Sequence, residues 1–143
     1  MKEGTMDKLI WEFKDINEAK ECFKEWKEIL ELGYWIIKIQ IVPPEDMQLE
    51  GSGESEYQIT NKCAIIRLLE PHHYGDRIVK QCHEETLVHE LLHCKFGIVD
   101  METEKSISCH LLIEEMARAL IKAKYGTPLE EFDNITYEED NHE

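Results

Sequence analysis

The run His89-Glu90-Leu91-Leu92-His93 sets two imidazoles four residues apart, with a carboxylate directly after the first. On a helix, side chains at that spacing share a face, so both rings can reach one metal ion while Glu90 stands beside it. That is the donor set of a zinc hydrolase. Zinc takes three protein ligands and a water, lowers the pKa of that water to about 7, and a neighbouring carboxylate removes its proton as it attacks an amide carbonyl. His89 and His93 are the candidate ligands, Glu90 is the candidate general base, and Leu91 and Leu92 face a core. The bland alternative is a pair of surface histidines beside a solvated glutamate.

A third ligand must come from elsewhere, and the last apolar-periodic segment offers His110, Glu114 and Glu115. His110 and Glu114 share a face. If His110 binds, Glu114 one turn later can accept the free N–H of a ligand histidine and fix its ring. If Glu114 binds instead, the site is two histidines and a glutamate, with His110 a bystander. Glu115 lies about 100° round the helix and points to solvent. Spacing alone leaves both sets open.

The stretch Glu85-Thr86-Leu87-Val88-His89-Glu90-Leu91-Leu92-His93, followed by Ile113-Glu114-Glu115-Met116-Ala117-Arg118-Ala119-Leu120, resembles the short zincin-like metallopeptidases of bacteria and prophages. Those are related at a distance to the peptidase family that contains ImmA and IrrE. The resemblance is clearest over about residues 84 to 121 and implies an α+β zincin-like fold: an N-terminal helix, a small, mostly antiparallel sheet, the motif helix and a C-terminal ligand-bearing helix. Many gluzincins carry a Glu ligand on the second helix, an acidic or amide residue four positions on, and apolar residues at about six and seven. That pattern places the ligand at His110, its supporting carboxylate at Glu114 and the apolar pair at Met116 and Ala117. A histidine stands where Glu is usual, which implies a three-histidine set like that of SprT-type zincins. Zincins lay the substrate as an extra strand along a sheet edge above the motif helix. Cys63 to Leu68 is the expected edge here, and His72, His73, Tyr74, Arg77 and His83 are candidate oxyanion donors.

The elements that would position these groups follow from patterning. Asp15-Ile16-Asn17-Glu18 has capping-box spacing, and Ile16, Ala19, Phe23, Trp26 and Leu30 then recur as a helical stripe up to Gly33. Tyr34 to Val42 predicts a strand, with Ile37, Ile39 and Ile41 alternating against Lys38 and Gln40 until Pro43-Pro44. Glu45 to Glu56, with Gly51-Ser52-Gly53, predicts a loop. A hairpin of Glu56 to Thr60 and Cys63 to Leu68 about Asn61-Lys62 comes next. The motif helix is expected from about Gln81 to Phe96, closed by Gly97, with Leu87, Leu91 and Leu92 inward. A last helix, about Lys105 to Tyr125, has Ile107, Leu111, Ala117, Leu120 and Ile121 as its apolar stripe and Gly126 and Pro128 as its stop. Trp26, Trp35 and Phe23 are assigned to the core.

The 143 residues suit one domain, 1–143, with 1–14 and 134–143 as flexible ends. A formal charge of −15 disfavours nucleic acid and anionic membrane as partners, since binding them depends on Lys and Arg. The expected partner is a protein or peptide substrate, and no feature sets the oligomeric state. No apolar run approaches the roughly 20 residues of a membrane span, and no signal peptide is visible, so a cytoplasmic protein is expected. Cys22, Cys63, Cys82, Cys94 and Cys109 are an odd number without a CxxC pair, which argues for thiols rather than a disulfide framework. Cys94 and Cys109 are expected to be buried and inert.

The function expected from these residues is peptide-bond hydrolysis by a metallopeptidase with one Zn2+ per chain. The alternative is a catalytically inactive zincin-fold binding or regulatory module with structural zinc. Glu90 favours hydrolysis, because neither a closed structural site nor a binding module needs a carboxylate there.

Overall fold

The computed structural model describes residues 8–49, 51–71, 81–97 and 107–126. Within them are α1 (Ile16–Ile29), β1 (Ile36–Val42), β2 (Gly53–Gln58), β3 (Cys63–Leu69), α2 (His83–Phe96) and α3 (Ile107–Tyr125), an α+β arrangement of three helices and three strands. No helix among the described residues is long and apolar enough to cross a membrane.

Helix α1 starts where the capping box places it. Asp15 accepts from the Glu18 amide at 2.9 Å, and the Glu18 carboxylate reaches back to the Lys14 amide at 2.8 Å. Its fully buried side chains are Ala19, Cys22 and Trp26. Phe23 packs at the margin of the core, while Trp26 and Trp35 lie within it.

The strands form one sheet in the order β1-β3-β2. β2 pairs antiparallel with β3 as the expected hairpin, but β1 pairs parallel with β3, so the sheet is mixed rather than mostly antiparallel. The hairpin also departs from a two-residue turn: β2 ends at Gln58, and Lys62 takes a left-handed φ of 54° before β3 begins. The strand Cys63–Leu69 is therefore central, which corrects the expectation of an edge at Cys63 to Leu68. Its physical reason is visible in its composition. Ala64, Ile66, Leu68 and Leu69 are buried and both of its edges are hydrogen-bonded, as befits a nearly continuous apolar run.

The helices pack on one side of the sheet, with Ile39, Ala64, Ile66 and Leu68 meeting Leu87, Val88, Leu91 and Leu92 of α2 in a single apolar cluster. On α3 the buried residues are Ile113, Ala117 and Ile121, spaced by four. Leu111 belongs to the opposite face and is more than half exposed, which corrects its place in the predicted stripe. Ile107 and the tail beyond Gly126 lie outside the side chains described. Gly126, at φ 92°, closes α3 by donating to Lys122 O, a conformation that favours glycine. Gly97 follows α2 but keeps right-handed angles, so it does not form the left-handed cap its sequence position suggests.

Two polar locks hold the motif helix. Residues 9–13, within the end expected to be flexible, run along the start of α2, where Ile10 O and Trp11 O accept from the Glu84 and His83 amides. These carbonyls satisfy first-turn donors that a helix leaves open. Glu84, fully buried, accepts from Ile10 N, Trp26 Nε1, Lys124 Nζ and Tyr125 Oη, and so joins α1, α2 and α3 through one carboxylate. Burial and the nearby Glu84 charge push the Tyr125 hydroxyl and the Cys22 thiol well above their ordinary pKa values. Cys94 is buried on α2, whereas the Cys109 side chain lies outside those described.

Candidate metal centre

His89 and His93 lie one turn apart on α2, and their Nε2 atoms are 3.2 Å from each other. His110, in the first described turns of α3, brings a third imidazole to the same point. One ligand nitrogen from each of the three rings lies within 4.8 Å of the others. Ring centroids are 5.0 Å apart for His89 and His93, 5.0 Å for His93 and His110, and 6.2 Å for His89 and His110. Three histidines from two helices thus form a group that could hold a metal ion.

Glu114 is placed differently. Its Oε1 accepts from His89 Nδ1 at 2.9 Å, on the side of the ring away from His93. A histidine that donates through Nδ1 presents the Nε2 lone pair in the other direction, which is how a supporting carboxylate orients a metal ligand. His110 rather than Glu114 supplies the third atom of the cluster, and Glu114 bonds to His89 from outside it.

Burial works against the charged form of His89, but the Glu114 hydrogen bond and the charges of Glu90 and Glu114 outweigh it and raise its pKa. His93 is pushed down to about 4, first by burial and then by His89 and His110, so at neutral pH its lone pairs are free of a proton at one nitrogen. Burial and the neighbouring Glu114 raise the Glu85 carboxyl, while Glu114 is lowered, against burial, by its bonds to His89 and Glu85.

Glu90 is 7% exposed, as is His93, so the motif is not a solvated helix face. A cleft of about 370 Å³ runs beside it, lined on α2 by Glu85, Thr86, His89 and Glu90, on α3 by Glu114 and Arg118, and above by Gly51, Ser52 and Gly53. β2 reaches the cleft only because residue 53 is glycine. A Cβ there would overlap the Thr86 methyl and stand 3.4 Å from Arg67 O and 3.5 Å from Glu90 Oε2. Thr86 cannot easily swing aside, since its hydroxyl donates to Cys82 O at 3.0 Å. Sequence reasoning placed Gly53 in a loop and missed this role; the residue begins β2, three residues before the strand start expected from sequence.

Glu54 shapes the roof of the cleft. Its buried carboxylate accepts from the amides of Gln48 and Leu49 and from Arg67 Nη1, which pins the loop ahead of β2 to the sheet. Among the candidate oxyanion donors, His83 is fully buried, accepting from Phe13 N at 2.9 Å and bonded through Nε2 to Leu69 O at 2.8 Å. It faces the core rather than the cleft. His72, His73, Tyr74 and Arg77 lie outside the described residues. Glu115 is exposed, as expected. No protein-family model matches the chain, and no curated protein matches it in sequence.

Proposed function

We propose that this chain is a zincin-like, zinc-dependent peptidase, with His89, His93 and His110 as ligands of one zinc ion, Glu90 as general base and a protein or peptide as substrate. The observation that carries the reading is the convergence of three imidazoles on one point, with the far nitrogen of His89 held by Glu114. Zinc suits the donor set. Two nitrogens bound tetrahedrally at about 2.0–2.1 Å stand about 3.3 Å apart, and the His89 and His93 Nε2 atoms are 3.2 Å apart.

Zinc bound there would supply Lewis acidity, lowering the pKa of a water to about 7 and polarising the scissile carbonyl. The protein's own groups do the rest. Glu90, sheltered at the side of the cleft, takes the proton of the attacking water and delivers it to the departing amine. Glu114 keeps His89 in the tautomer that offers Nε2. β2 is an outer strand of the sheet and its start borders the cleft, so an extended peptide added along it would pass beside His89 and Glu90. This assigns the substrate-binding edge to β2.

A structural zinc that merely staples α2 to α3 is the competing reading, and Glu90 separates the two, because a staple has no use for a carboxylate in an open cleft. Glu90→Gln should keep one zinc per chain and the fold, yet lose hydrolysis of an unfolded protein substrate by about 10²-fold or more. Equal hydrolysis by the variant and the unmodified chain would overturn the assignment of Glu90.

A further inference from the structure

Arg118 is the one Lys or Arg side chain lining the described part of the cleft, and the reaction above gives it no task. It lies one turn beyond Glu114 on α3. Its Nε is 3.1 Å from Glu85 Oε2 and 3.5 Å from Glu114 Oε2. Glu85 is one turn ahead of His89 on α2, so the guanidinium bridges the two helices beside the histidines. The oxygen of Glu114 that faces Arg118 is the one left over by His89, which bonds to Oε1.

The terminal torsion of a glutamate is broad and nearly free of staggered wells, so its carboxylate plane is set by the contacts on its two oxygens. A contact on the second oxygen fixes the carboxylate plane, and with it the direction from which His89 Nδ1 is held. Glu85 and Glu114 also bond to each other, and a guanidinium within reach of both holds that pair together beside His89. Glu85 is 10% exposed and Arg118 32% exposed at the side chain, so water screens the bridge less than it would an ion pair on an open helix surface.

We infer that Arg118 is a positioning residue for the metal centre, bridging Glu85 and Glu114 so that the Glu114 carboxylate holds His89 with Nε2 aimed at the ion. This inference rests on the three-histidine reading proposed above. The bridge also ties α3, which carries His110, to α2, which carries His89 and His93.

The test uses the full chain and the metals alone. Zn2+ affinity is measured by competition with a chromophoric chelator, and the Co2+ form is examined by visible absorption, for the unmodified protein, Arg118→Gln, Arg118→Lys and the control Glu115→Gln. Arg118→Gln should retain one metal per chain, bind Zn2+ about 10–100-fold more weakly and shift the Co2+ ligand-field bands. Its helical circular dichroism should stay that of the unmodified protein. Arg118→Lys should recover part of the affinity, because one ammonium can meet one carboxylate but not span two, and Glu115→Gln should match the unmodified protein. Unchanged affinity and spectrum in Arg118→Gln would overturn the inference while leaving the three-histidine site standing. So would an affinity loss matched by an equal loss of helical signal, which would mark a scaffold role alone. No Zn2+ binding by the unmodified chain, or binding indifferent to His110→Ala, would overturn the site and this inference together.

Discussion

The HExxH spacing could be read directly because a helix turns four residues into one face, and the burial of Glu90 and His93 bears out that the run is not a solvated surface. The third member of the histidine cluster could not be read in the same way. His110 and Glu114 are also one turn apart, and only the direction of approach to His89 separates a nitrogen that joins the cluster from a carboxylate that supports it. His83 shows the reverse difficulty: a histidine six residues before the first ligand looked available for chemistry, yet both ring nitrogens are used inside the core. Burial holds its pKa below the ordinary 6.5, so the folded state binds fewer protons there than the unfolded chain does. Its contribution to stability is therefore present above pH 6.5 and lost as pH falls below that value toward the lowered folded pKa. Urea unfolding followed from pH 7.5 to 5 should show part of the acid-side loss in the unmodified protein disappear in His83→Gln. An identical pH dependence in the two would contradict the neutral, doubly bonded histidine.

At the scale of elements, both helices that hold the histidines were legible, because long apolar-periodic segments with stop signals leave few alternatives. The orientation of α3 was less so. Apolar residues occur on two of its faces, and periodicity does not say which stripe, Leu111 or Ile113-Ala117-Ile121, meets the core. Strand order was not legible either, since β3, the last strand in sequence, inserts between β1 and β2. That order brings Gly53 against Thr86 and Glu90 of the motif helix. Gly53→Ala should cost about 1–3 kcal/mol of stability through overpacking and reduce hydrolysis by moving β2 off the cleft, as judged by urea unfolding and an assay on the same preparation. A variant as stable and active as the unmodified protein would mean that β2 does not define the roof of the site.

Across the whole molecule, the site sits where three helices are tied by buried polar groups and one sheet supplies the roof. Glu84 links α1, α2 and α3, the 9–13 segment caps α2, and Glu54 fastens the loop ahead of β2. None of these locks was foreseen from composition, because an isolated glutamate in a chain with 31 acidic residues carries no mark of burial. The formal charge of −15 disfavours contact with a phosphate backbone, which depends on Lys and Arg. The central claim is the three-histidine centre, and metal content tests it most directly. Purified protein supplied with zinc and then desalted should hold one zinc per chain. His110→Ala should lose most of it, while Glu114→Gln should keep the stoichiometry with about 10–100-fold weaker binding. Zinc held equally by His110→Ala but lost with Glu114→Gln would transfer the third position to Glu114, and no stoichiometric zinc in the unmodified chain would contradict the metal centre itself.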